Sequence, residues 1–247
     1  MKQCRLIAIF VFAGILAPAD TAQKPIQLND ILGWKRIVSQ SVSADGNWFA
    51  YRISPAEGNS EVVIRNLKDG KEQRFPIGEI PRVDPPAGGP PAPIPPGRDL
   101  AISEDGKWAA FLAYPTAKEA KTLKKAKKPV ESRAIVVELA TGKKTEFDKV
   151  RRFAFSGERG TMLAMHRYAP IPAGTPAPAP GAGASAAARD DKPMGSDLIL
   201  YEMATGNEMN VGNVSDFSFD KKGNYLAWLI DAQDKIGNGI ELREHLL

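Results

Sequence analysis

Few side chains in this sequence have the type and spacing that chemistry demands. There is one cysteine, Cys4, and there are two histidines, His166 and His245. The histidines stand far apart with no carboxylate or cysteine at ligand spacing, so each reads as a packing or surface residue and no metal is expected. The Asp-Gly pairs beginning at Asp45 and Asp105 suggest calcium loops, yet neither is followed by the further acidic ligands that a hard cation requires; they read as turn residues. A serine nucleophile of the hydrolase type sits in G-x-S-x-G between a strand and a helix. The nearest stretch, "GAGASAA" from Gly181, puts Ser185 in a low-complexity segment without the closing glycine. Trp48, Trp108 and Trp228, with Tyr225, would make a stacking platform for sugars or bases, but two of them recur at one place in a repeat, as packing residues do. The sequence therefore assigns no catalytic, cofactor-binding or metal-binding residue, and the chain as it stands is not expected to be an enzyme.

The elements that would position a site are far more legible. "MKQCRLIAIFVFAGILAPADTAQ" carries Lys2 and Arg5, then an apolar run from Leu6 to Ala17, then small residues. This is the pattern of a secretory signal peptide, residues 1–22, with cleavage after Ala19 or Ala22. The run is too short to span a bilayer, so no stable membrane span is expected after cleavage, and a periplasmic or secreted location follows. Cys4 precedes the apolar run and leaves with the leader, so the mature chain has neither a disulfide nor a thiol nucleophile. With 247 residues, 43% hydrophobic and 25% charged, the chain can bury a real core. Its net charge of +4 is small, and its lysines are bunched in one run instead of alternating with aromatics, which argues against a nucleic-acid partner.

Four stretches repeat one another: "SVSADGNWFAYRI" from Ser41, "LAISEDGKWAAFL" from Leu100, "FAFSGERGTMLAM" from Phe153 and "FSFDKKGNYLAWL" from Phe217. Aligned on Gly46, Gly106, Gly160 and Gly223, each alternates apolar and polar residues on both sides of a glycine turn, which is the pattern of a β-hairpin. The first three are followed by a second hairpin, turning at Gly70, Gly142 and Gly206; the fourth reaches only "GIELREHLL". Glycine-to-glycine spacings of 60, 54 and 63 residues, with four strands per repeat, predict an all-β fold. The architecture is a partial β-propeller of about three and a half four-stranded antiparallel blades within residues 28–247, near 36–78, 99–148, 150–211 and 214–247. A lone blade cannot cover both its faces, so Trp48, Ala50, Trp108, Ala110, Leu163, Leu226 and Trp228 are expected to pack between blades. At the open end of the last hairpin, Leu226 and Trp228 are expected to be exposed or only partly covered, and the arc to self-associate there. The Pro/Gly/Ala-rich inserts 79–98 and 169–196 read as loops with polyproline II character, and the lysine-rich "TAKEAKTLKKAKKP" from Thr116 as a short solvated helix over the second blade.

"ILGWKRIVSQSVSADGNWFAYRISPAEGNSEVVIRNLKDGKEQRF" from Ile31, "LAISEDGKWAAFLAYPTAKEAKTLKKAKK" from Leu100 and the "LATGKKTEF" and "MATGNEM" hairpins resemble the propeller of secreted bacterial members of the prolyl oligopeptidase family of serine peptidases. The resemblance runs from Leu28 to the end. It implies a propeller stacked on an α/β-hydrolase domain as its partner, restricting access to peptide substrates, with the nucleophile on the hydrolase. This chain offers no position for those catalytic residues, and four partial blades are fewer than the seven or so of the family. It is expected to be the amino-terminal portion of a longer protein. The same serine-aspartate-glycine turn also marks TolB-like periplasmic propellers, which bind partner proteins.

Overall fold

A computed structural model describes residues 25–81, 99–169, 195–232 and 237–244. The leader, most of both inserts, Ser185 and His245 lie outside the described residues. After a short helix α1 (Leu28–Leu32), which the sequence reading did not anticipate, the chain is almost wholly antiparallel β.

The first sheet is a meander of β1 (Lys35–Val42), β2 (Trp48–Pro55), β3 (Ser60–Asn66) and β4 (Glu72–Gly78). The second repeats it with β5 (Leu100–Ile102), β6 (Trp108–Ala113), β7 (Arg133–Glu138) and β8 (Lys144–Phe147). The third and fourth repeats form one six-stranded sheet: β9 (Val150–Phe155), β10 (Met162–Arg167), β11 (Ser196–Glu202), β12 (Glu208–Phe219), β13 (Tyr225–Ile230) and β14 (Gly239–Glu244). They are joined because β12 is long. Its first half pairs with β11 and its second with β13, with the break beside Asn213, which sits at φ +58°. The architecture is a partial β-propeller of three four-stranded blades and part of a fourth. The lysine-rich segment forms helix α2 (Ala117–Lys125), started by a capping box in which Thr116 and Glu119 each satisfy the other's backbone N–H.

The turn motif repeats because it does two jobs. Within each hairpin, a side-chain oxygen accepts the N–H that opens the next strand: Ser43 Oγ from Trp48, Ser103 Oγ from Trp108 and Ser156 Oγ from Met162, each at 3.0 Å, and Asp220 Oδ1 from Tyr225 at 2.7 Å. Between hairpins, each turn lies against the one before it. A Cβ on Gly106 would meet the Asp45 carboxylate at 3.4 Å, and one on Gly223 would meet the Ser156 carbonyl oxygen at 2.3 Å. Both glycines thus supply a positive φ, and Gly223 also supplies the clearance for the neighbouring blade.

Three apolar cores fill the gaps between successive blades. The first joins Ala50, Val62 and Ile64 to Leu100, Phe111 and Ile135. In the second, Ala110, Leu112 and Val136 meet Phe153, Leu163 and Met165. The third packs Ala164, Leu198 and Leu200 against Val214, Phe217, Leu226 and Trp228. The expected interblade role of these residues holds, with Trp48 and Trp108 partly buried against the first and second cores.

The expectation for the last hairpin is corrected. Leu226 and Trp228 are 3% and 5% exposed, facing back onto the third blade. The face with no blade against it carries Tyr225, Leu229, Ile240 and Leu242 instead, all exposed. Strand alternation explains the error: Trp228 stands five residues after its turn glycine whereas Trp108 stands two after its own, and an odd offset moves a side chain to the opposite face. At the other end of the arc, Trp34 just before the first sheet and Ile37 and Val42 on its strand β1 are exposed.

Candidate functional site

Counting from the turn glycines exposes a column that strand alternation makes face the next blade. Six residues after each glycine stand Arg52, Leu112, His166 and Leu229. Leu112 is core and Leu229 is exposed, but Arg52 and His166 are wholly buried polar groups in the first and third gaps. They are the two candidates for chemistry among the described residues.

Arg52 is 1% exposed and reaches across to the second blade. Its Nη1 donates to Asp99 Oδ2, and its Nη2 donates to the carbonyl oxygens of Asp99 at 2.9 Å and Leu112 at 3.2 Å. Ser39 Oγ donates to the other Asp99 oxygen at 3.2 Å, and Arg52 Nε is buried without a partner. Such a pair is costly to bury and costlier to break, because removing either member strands the other's charge. Nearby, burial pushes the Tyr114 phenol up to about 12, with the Arg52 charge opposing. Close backbone approach seals this gap. Tyr114 N–H donates to the Ile77 carbonyl, and a Cβ on Gly78, at φ +70°, would lie 2.0 Å from the Tyr114 backbone carbonyl oxygen.

His166 looks more like a catalytic group. Ser196 Oγ lies 2.8 Å from its Nε2, the separation of a nucleophile and its base. The surrounding bonds forbid that use. Nε2 is also 2.7 Å from the Val214 carbonyl oxygen, which can only accept, so Nε2 carries the proton. The Ser196 hydroxyl donates to the Arg167 carbonyl at 2.8 Å and receives from the imidazole instead of giving to it. On the far side, Nδ1 faces Arg151 Nη2 at 3.2 Å and Arg152 Nε at 3.4 Å, where a base would need a carboxylate behind it. The ring is therefore the neutral Nε2–H tautomer. Burial, with the charges of Arg151 and Arg152 added, holds its pKa below the ordinary 6.5, although the bond to Val214 pulls the other way. Arg152 also pairs with Asp216 and lies 4.4 Å over the Phe217 ring, tying the third blade to the fourth.

The serine has an equally structural reason to be there. Ser60, Ser132 and Ser196 each stand ten residues before the second turn glycine of their repeat, and all three are buried. Ser132 donates to the Val150 carbonyl at 2.6 Å much as Ser196 donates to Arg167. This periodic serine was missed in the sequence, although "SEVVIRNLKDG", "SRAIVVELATG" and "SDLILYEMATG" display it once the glycines are aligned. His166, read from sequence as a packing or surface histidine, is a packing histidine. No group of three or more His, Cys, Asp or Glu side chains is placed to hold a metal among the described residues. No helix among them is long and apolar enough to cross a membrane.

No protein-family model matches the sequence. No curated protein matches it. Solved structures do resemble the fold. The β-propeller domain of the Trilobed protease from Pyrococcus furiosus is 13% identical, with a TM-score of 0.46 over 84% of this chain and 53% of that one. An acylaminoacyl peptidase from Pyrococcus horikoshii is 14% identical, with a TM-score of 0.45 over 86% of this chain and 31% of the peptidase. TolB from Acinetobacter baumannii is 11% identical, with a TM-score of 0.37 over 85% of this chain and 41% of TolB. The chain spans about half the length of the first of these and less of the other two.

Proposed function

We propose that this chain is a non-catalytic propeller segment of a secreted prolyl-oligopeptidase-like serine peptidase. In that reading, an α/β-hydrolase domain of the parent protein is its partner and carries the chemistry, and the propeller restricts which peptides reach it. The wiring of His166 carries the non-catalytic part: a serine and a histidine lie in contact, but the proton sits on the nitrogen that would have to be empty. The sequence resemblance from Ile31 onward supplies the parent. A leader at residues 1–22 would send the product to the periplasm or beyond the cell.

The serine-aspartate-glycine turns favour a second reading, a TolB-like propeller that binds partner proteins in the periplasm. The transcript separates the two. Sequencing through the codon for Leu247 is expected to reach, in frame, further blades and then G-x-S-x-G. A stop codon after further blades, with no such motif, would leave the TolB-like reading in its place. A fluorophosphonate probe on the purified chain should label neither Ser196 nor Ser185; specific labelling of either, lost on heat unfolding, would refute the non-catalytic role.

A further inference from the structure

The third gap departs from the first two at the position that opens the second strand of each repeat. Two residues after the turn glycine, Trp48 and Trp108 pack their indoles against the first and second interblade cores, whereas the third repeat has Met162. Met162 lines a cleft of about 290 Å³ between residues of the third and fourth blades. Leu200 and Leu226, both buried, and Phe219 and Met209 line it with Met162. Its mouth is acidic, with Glu202, Glu208 and Glu244 set against the single cation of Arg243. Glu202 Oε2 accepts from the Thr205 hydroxyl and Arg243 Nη1 reaches Met209 Sδ, while Glu208 and Glu244 make no ion pair among the described residues.

We propose that this cleft binds a small aromatic amine, a ring of about indole size bearing a short alkylammonium arm. The ring would take the place that a tryptophan of the chain itself fills in the two preceding gaps. The ammonium would meet Glu208 and Glu244 at the mouth. An aromatic acid of the same length would bring a carboxylate to a predominantly acidic rim and bind worse, since like charges at close range are penalised. Apolar walls with a few charged groups that fix orientation are the usual make-up of a small-molecule site.

Titration calorimetry on the full chain tests this with two probes, tryptamine and indole-3-propionate. Tryptamine is expected to bind, and indole-3-propionate to bind about tenfold more weakly or not at all. Met162→Trp should abolish tryptamine binding while raising the thermal midpoint, because the chain then fills its own cleft. Absence of tryptamine binding to the unaltered chain, equal binding of the two probes, or undiminished binding to a folded M162W would each overturn the proposal. If M162W does not fold, E208K/E244K decides: these exposed positions tolerate change, and a loss of about tenfold or more supports the site while an unchanged affinity refutes it.

Discussion

Arg52 and His166 stand at the same place in their repeats, and each is buried against the blade that follows, yet they join those blades by different physics. Arg52 is a permanent cation held by a carboxylate and two carbonyls. His166 is a neutral ring whose Nε2 proton is shared between the Val214 carbonyl and the Ser196 hydroxyl and whose other nitrogen takes hydrogen bonds from two arginines. Between them, the middle gap puts Leu112 at that position, within an apolar core, and its buried polar contact lies elsewhere, where Ser132 donates to the Val150 carbonyl. A propeller gap therefore needs no polar group there. Where one is present, the first gap is made vulnerable to substitution, whereas the third is sensitive to protons.

The largest expected effect is at Asp99. Asp99→Ala leaves the Arg52 guanidinium buried without its anion and should cost about 3–5 kcal/mol in urea unfolding. Arg52→Leu combined with Asp99→Ala, which gives the first gap the leucine of the middle one, should recover most of that. If the double variant is as unstable as the single, the comparison between the two gaps fails.

The third gap should respond to acid. Because His166 is held below its unfolded value of 6.5, the unfolded chain takes up this proton more readily than the folded one. Stability from this group is complete above about pH 6.5 and is lost as the pH falls through the window below it. Urea midpoints measured from about pH 7.5 down to about pH 5 should decline, and His166→Leu should flatten that part of the slope. The groups facing the ring are Arg151, Arg152, Ser196 and Asp216 through Arg152. The Asp216 carboxyl is held below its ordinary 3.8 by its bond to Arg152 against the cost of burial, so its own contribution disappears only at much lower pH. An unchanged slope in His166→Leu would remove the histidine from the account.

Ser196→Ala should cost about 1 kcal/mol, the net worth of its bond to the Arg167 carbonyl, and Ser132→Ala a similar amount. A much larger loss at Ser196 alone would mean that the His166 contact adds something the repeat does not require. The smallest change in stability, within about 0.5 kcal/mol, is expected for Ile240→Thr with Leu242→Thr on the exposed face of the last blade. The readout there is light scattering: these changes should reduce self-association. If they leave scattering unchanged, the exposed face does not drive it.

The hairpins, their turns and the sequence of blades were legible because each rests on local signals, a glycine at positive φ and a period of two around it. Orientation was less so. Leu226 and Trp228 are expected from their place on the last hairpin to face its open end, and only their odd offsets from the glycine show that they face the third blade. The polar joints were the least legible. Asp99 is 47 residues from Arg52, and Val214 is 48 from His166, so nothing near either residue in the chain names its partner. What the sequence does hold is the column itself: an arginine and a histidine in register with two leucines mark the strands where a gap is closed by something other than grease.

The long strand β12 has a consequence for how the molecule comes apart. The first two blades are tied by isolated backbone hydrogen bonds beside Ile77 and Tyr114, but the third and fourth share a whole strand, and Val214 on it pairs with Ser196 on one side and Ile230 on the other. The four repeats should then exchange their amide protons as three cooperative units, the first blade, the second blade, and the third and fourth together. In hydrogen exchange, the amides of β11 and those of β13 should gain deuterium with one common opening free energy.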